Sequence, residues 1–344
     1  MPLNFSVYVN FSYNQIAEKC RRLLFQLGIV AMLTTNSIAD EFLYSNPIVF
    51  QRFENTTTDT ATPDIPGFYG GASIWVMESD GSNLKLLRHP GHGSVAKHLD
   101  HPSVSGDGRY VIYAEFESAE IGRQGEARLY RENLQTHERL VIRGQTNCAF
   151  HHATLSLDDE DLTYSRDCGF ERSLVAELGD LKIVIDPAIS GTRSSNGMSA
   201  GHKVVYQNEK PTEVQSDRKI AIILSEFDSQ GRRTDRQITN WAYRNRRATI
   251  SKDGNFVAWQ TNSTTLGEKD DILMLDLNRI NDEPVQVTKS PANDGHPFFS
   301  RDTEWLLFES DRTGNWEIFK VHLQSGEVIQ LTDDSNYVST RPRW

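Results

Sequence analysis

The stretch Asp294 to Asp334, DGHPFFSRDTEWLLFESDRTGNWEIFKVHLQSGEVIQLTDD, decides the fold. It holds four short apolar or alternating runs, Pro297 to Phe299, Trp305 to Glu309, Glu317 to His322 and Val328 to Leu331, separated by polar clusters of turn-forming residues. This pattern predicts one four-stranded antiparallel sheet. A single such sheet buries neither face completely, so further copies of the unit are required, and the chain contains them. Aligned on the serine that closes the first strand, they read HPSVSGDGRYVIYAE at Ser105, HHATLSLDDEDLTYS at Ser156, NGMSAGHKVVYQN at Ser199, RATISKDGNFVAWQT at Ser251 and HPFFSRDTEWLLFES at Ser300.

The two ends supply a sixth copy. Arg341-Pro342-Arg343-Trp344 reads as the opening of another unit, and its remaining strands are predicted at Pro47 to Arg52, Ala72 to Glu78 and Leu84 to Leu87. The last strand then completes the sheet begun near the N-terminus, which closes a ring and removes its open edge. The expected fold is all-β: a six-bladed β-propeller of four-stranded antiparallel blades, spanning residues 45–344.

The phrase best kept at His296 to Thr332, and in part at His101 to Leu140, resembles the WD40-like (PD40) repeat of TolB-like propellers. The resemblance covers nearly all of residues 45–344, most clearly in the last unit and weakly in the third and fourth. It implies a propeller and leaves function open, because propellers host many roles. TolB carries a further N-terminal domain that contacts its envelope partner. Only a few residues separate Asp40 from the first strand here, so neither that domain nor that partner is expected.

Residues 1–39 read as a secretory signal. Lys19, Arg21 and Arg22 precede the apolar run Leu23 to Leu33, and Ser37-Ile38-Ala39 stands before Asp40 and Glu41. Cleavage is expected after Ala39, giving a periplasmic or secreted, monomeric protein without a transmembrane segment. The 344-residue chain is 38% hydrophobic and 24% charged, with a formal charge of −11, which disfavours nucleic acid or an anionic membrane as the main partner. Of three cysteines, Cys20 leaves with the signal. A hairpin folded about Asp158 to Glu160 brings Cys148 and Cys168 together, and a disulfide is the favoured reading over free thiols or metal ligands.

In a propeller blade the first strand lines the central channel. Loops between the first and second strands are short here, whereas those on the opposite face are elaborated, at Asn55 to Gly71, Glu117 to Gly125, Asn208 to Arg218 and Thr261 to Lys269. Long loops on one face of a rigid scaffold are where binding surfaces usually lie. Four residues before each anchor, the register places His101, His152, Ser195, Arg247, His296 and Arg341 at the channel mouth on that face, with Trp241 and Tyr243 nearby. Three readings fit this ring. The histidines cap strands by bonding to the neighbouring blade; or, with Arg247 and Arg341, they form a positive funnel for an anionic ligand; or His101, His152 and His296 hold a divalent metal such as zinc or manganese.

No nucleophile elbow, phosphate-binding loop, His-Glu-x-x-His or dinucleotide fingerprint occurs, so no catalytic residue is nominated. The expectation is a non-enzymatic module without a required cofactor, binding an envelope protein, peptide or glycan. A metal-dependent lyase or hydrolase acting on an anionic polysaccharide at the channel mouth is the alternative.

Overall fold

The computed structural model describes residues 44–54, 71–91, 97–117, 125–169, 171–185, 193–210, 219–264 and 268–344. Residues 1–39, expected to be a secretory signal, and most of the four elaborated loops lie outside them. The described residues are almost entirely strand and turn, with one short 3-10 turn at Leu277–Arg279.

The strands form consecutive four-stranded antiparallel meanders. The first has the spatial order Tyr337–Arg343, Pro47–Glu54, Ser73–Glu78, Lys85–Arg88, so the C-terminal strand pairs with the N-terminal one as expected. The next two are His98–Val104, Tyr110–Phe116, Ala127–Asn133, Arg139–Arg143 and Cys148–Leu155, Asp161–Cys168, Glu171–Leu178, Leu181–Ile185. A single parallel bridge, Ala127 to Ala149, joins these two into one eight-stranded sheet. Then come Arg193–Ala200, Lys203–Lys210, Lys219–Phe227, Arg233–Gln237; Asn245–Ile250, Phe256–Thr261, Asp271–Asp276, Val285–Gln286; and Asp294–Phe299, Trp305–Ser310, Glu317–His322, Val328–Gln330.

Burial follows position in the meander. Inner strands such as His98–Val104 and Asp294–Phe299 are buried throughout, and the outer strand Lys85–Arg88 is exposed or half-buried. Each second strand carries one aromatic residue at the same place, Phe50, Tyr113, Tyr164, Tyr206, Trp259 and Phe308, all buried between sheets. At about 25 cal/mol per Å2, a buried aromatic contributes an upper limit of about 4–6 kcal/mol.

The anchoring serines have a local cause. Ser105, Ser251 and Ser300 each donate from Oγ to the aspartate two residues on, and accept at the same oxygen from the backbone N–H five residues on. Ser156 does the same with Asp158 and Asp161. The fourth meander departs from this. Its inner strand runs one residue further than the sequence register places it, ending at Ala200, and a Gly201-His202 turn replaces the serine-aspartate loop. Ala200, not Ser199, occupies the anchor position.

Near the start of each inner strand the chain makes the same kink. His101, His152, Asn196, Arg247, His296 and Arg341 all have positive φ, between 46° and 58°, and the strand pairing shifts register there in every meander. Asn196 therefore takes the place assigned to Ser195. Asparagine enters the left-handed region more readily than serine, and Gly197 follows because a Cβ there would meet Leu174 at 2.9 Å.

Candidate functional site at the channel mouth

A bulge with positive φ turns an inner-strand N–H out of its own ladder, and a neighbouring sheet supplies the acceptor. Gln51 Oε1 accepts from His101 N, Gln207 Oε1 from Arg247 N and Gln260 Oε1 from His296 N, each at 3.3 Å, while Glu309 Oε2 accepts from Arg341 N at 2.8 Å. Each acceptor directly follows the buried aromatic of its second strand: Phe50-Gln51, Tyr206-Gln207, Trp259-Gln260, Phe308-Glu309. Gly295 makes room for one of these bonds, since a Cβ there would lie 2.8 Å from Gln260 Oε1. In the second and third meanders the equivalent residues are Ala114 and Ser165, too short to span the gap. That is also where the two meanders close up into one sheet.

The ring side chains bond to one another. His296 Nδ1 lies 2.5 Å from Glu309 Oε1. Arg341 donates from Nη1 to Gln51 Oε1 at 2.8 Å and to Asp100 Oδ1 at 3.3 Å. His101 Nδ1 lies 2.8 Å from the same Asp100 oxygen. His101 and His152 have ring centroids 4.1 Å apart, and His152 also meets His151, whose Nε2 lies 3.3 Å from Asp167. His101 is 0% exposed, Arg341 1% and His296 6%. These side chains are part of the protein interior.

The structure thus brings His101, His152, His296, Arg247 and Arg341 to one channel mouth. The ligand atoms that converge for a metal are those of Asp100, His101 and His152, all within 4.8 Å of one another. His296 stands apart, committed to Glu309, with its ring 6.4 Å from that of His101. Asp100 and the Gln/Glu acceptors escaped the sequence reading, although the repeated aromatic-Gln/Glu pair was a visible signal for them.

Trp241 and Tyr243 lie outside the ring, half-exposed, in the connection between the fourth and fifth meanders. Trp241 donates to Gln237 at 3.2 Å, and Lys210 Nζ lies 4.5 Å from its ring centroid. At the opposite end of the channel the Arg301 guanidinium donates to the carbonyls of Leu157 and Val104 and lies 3.5 Å from Asp159. Cys148 and Cys168 face each other across their strand pair and are disulfide-bonded.

No family model and no curated protein matches the sequence. Solved structures do match in shape. TolB from Acinetobacter baumannii superposes with a TM-score of 0.63 at 14% identity, covering 87% of this chain and 66% of that one. A putative TolB from Agrobacterium tumefaciens gives 0.54 at 14% identity, covering 87% and 98%. A chain of a nidogen/laminin complex gives 0.56 at 10% identity, again covering 87% and 98%. The fold is that of a TolB-like β-propeller. This chain spans just under two thirds of the length of the Acinetobacter TolB, and at these identities the likeness is one of architecture. The TolB-like propeller here has an inner ring in which histidine and arginine side chains tie neighbouring sheets together.

Proposed function

We propose that this TolB-like propeller is a binding module that presents the face bearing Trp241 and Tyr243 to a protein, peptide or glycan of the cell envelope. The observation that carries this reading is the commitment of the mouth ring to internal bonds: His101, His296 and Arg341 are buried against Asp100, Gln51 and Glu309. What faces outward nearby is aromatic and cationic, Trp241 with Lys210 beside it and Tyr243 two residues on. Such amphipathic aromatics supply large contact area with a polar handle, the chemistry of recognition surfaces. The disulfide supports an oxidising compartment, in keeping with periplasm or secretion. Among the described residues no helix is long and apolar enough to cross a membrane.

The test is site-directed photo-crosslinking in cells. A crosslinker at exposed Ala242 captures one defined envelope species, a crosslinker at exposed Gln230 on the opposite face does not, and Trp241→Ala with Tyr243→Ala abolishes capture from position 242. Equal capture from both faces, or capture that survives the double substitution, contradicts the proposal.

A second reading, a metal-dependent enzyme on an anionic polysaccharide, draws on the convergence of Asp100, His101 and His152. Two imidazoles and a carboxylate at that spacing suit zinc or manganese, with bonds of about 2.0–2.2 Å for zinc. A metal held there would act as a Lewis acid or lower the pKa of a bound water. Arg247 would neutralise a substrate carboxylate. Against it, the Arg341 guanidinium already lies 3.3 Å from Asp100 Oδ1, a fixed positive charge beside the position a dication would take. The binding-module reading is therefore preferred.

A further inference from the structure

We propose that the channel holds a small monovalent anion, a halide or a formate-sized carboxylate, between the guanidinium groups of Arg343 and Arg247. The inference is independent of what the outer face binds.

Two residues beyond the left-handed position, each inner strand contributes to a second layer of the channel: Ser103, Thr154, Met198, Thr249, Phe298 and Arg343. Five of these are neutral, and Thr249 bonds within the layer, to Met198. Arg343 brings a full positive charge into a layer that has nothing to balance it. Arg343 is half-buried with its Nε wholly so, and withdrawing a cation from water is costly unless it is paired and hydrogen-bonded.

The protein's other interior arginines obey that rule. Arg52 has Ser339 Oγ and Asp334, Arg301 has two carbonyls and Asp159, and Arg341 has Gln51 and Asp100. Arg343 does not. Its Nε is buried without an acceptor, and among the described residues it has no ion pair, only the Phe298 ring with its centroid 5.0 Å from Cζ. Arg247 and Arg343 line the same narrow cavity, with Thr154, Asn196, His296 and Arg341. Their mutual repulsion adds to the effect of burial, and together these pull Arg343 from the usual guanidinium range to about 10. Asp100 opposes the shift, but its Oδ1 is already shared by His101 and Arg341.

An anion there accepts charge-assisted hydrogen bonds from the two guanidinium groups and supplies the counter-charge that Arg343 lacks. Geometry limits its size. The mouth is filled by His101, His296 and Arg341, the far end is crossed by Arg301, and the cavity has room for about one or two water-sized groups. A polypeptide segment does not fit, which selects a free ion.

The experiment compares the full chain and Arg343→Gln by thermal unfolding in sodium gluconate, sodium bromide and sodium formate at equal ionic strength. Gluconate is too large for the cavity and serves as the reference. In the parent, bromide and formate raise Tm saturably above the gluconate value. In Arg343→Gln the apparent affinity falls by about tenfold or more, the effect of losing one charged hydrogen bond. Bromide-grown crystals of the parent show an anomalous peak beside Arg343. A rise in formate alone assigns the site to carboxylates, and a rise in bromide alone assigns it to halides. Arg343→Gln is expected to be at least as stable as the parent in gluconate, because it removes a half-buried charge that has no ion pair among the described residues. Arg343→Met, which keeps an aliphatic contact with Phe298, provides a second variant. Identical Tm in all three salts, or the same salt dependence in both variants, overturns the proposal.

Discussion

Glu309 is the acceptor where the ring closes, and it makes the sharpest test of what the mouth residues do. It is 4% exposed, accepts from Arg341 N at 2.8 Å and lies 2.5 Å from His296 Nδ1, so it joins the last strand of the chain to the neighbouring sheet. Glu309→Ala leaves a buried N–H and a buried imidazole without this acceptor. A hydrogen bond to a charged group is worth about 1.5–3 kcal/mol and an orphaned buried donor costs about 1–3 kcal/mol, giving an expected loss of about 3–5 kcal/mol. Glu309→Gln is different, because glutamine already fills the equivalent place at positions 51, 207 and 260. It retains the bond to Arg341 N and loses only the charge assistance, an expected cost of about 1 kcal/mol. The assay is urea unfolding near pH 7.5, with unchanged slope confirming that stability rather than denatured-state compactness has moved. If Glu309→Gln is as damaging as Glu309→Ala, or if Glu309→Ala stays within about 0.5 kcal/mol of the parent, the ring does not act as a set of inter-sheet fasteners.

Further expectations concern other parts of the fold. Replacing Cys148 and Cys168 with serine removes a crosslink spanning a sequence separation of 20 and is expected to cost about 3 kcal/mol, with reductant lowering the parent by a similar amount and leaving the variant unchanged. Arg52 lies buried with Cζ 4.7 Å from the Trp75 ring and 5.2 Å from Tyr337, and pairs with Asp334 at 3.4 Å. Arg52→Ala is expected to lose about 3 kcal/mol in urea unfolding, and lysine to recover little, because it lacks the planar group that stacks. Burial, with Asp294 and Asp270 nearby, raises the Asp271 carboxyl above its ordinary value despite hydrogen bonds from Thr264 and Gln286. Between the ordinary and the raised value the folded state binds a proton that the unfolded state does not. The penalty is therefore full at neutral pH and is relieved as pH falls through the raised value. Asp271→Asn should stabilise the protein at pH 7, with the advantage shrinking in paired unfolding curves as the pH falls through the raised value.

Strand order and ring closure were legible because they depend on local chemistry. The Ser-x-Asp turn of Ser300 and Asp302 and the alternation of Trp305 to Ser310 repeat along the chain, and Arg341-Pro342-Arg343-Trp344 matches the start of a unit. The pairing of Cys148 with Cys168 followed from one hairpin. The mouth was half legible. Counting from serine found five of the six left-handed positions, and it slipped at Asn196 because that unit ends in Ala200-Gly201-His202 and has no Ser-x-Asp turn. The acceptors were not found because each bond crosses between sheets: Gln260 meets His296 and Gln51 meets His101. Repeat register tells which residues are equivalent but not which neighbour a side chain reaches. Histidine in a conserved-looking ring reads equally as ligand or as fastener until Glu309 and Asp100 are placed beside it. Arg343 went unnoticed because the other units place neutral residues at its position.

Elemental analysis tests most directly whether the mouth ring is an internal fastening rather than a metal centre. The parent, purified without chelator or histidine tag and exposed to zinc and to manganese, is compared with His101→Ala, His152→Ala and their combination. An internal fastening retains no metal in stoichiometric amount in any of them, and the histidine variants lose stability that added metal does not restore. Near-stoichiometric zinc or manganese in the parent, absent from the double variant, would contradict it.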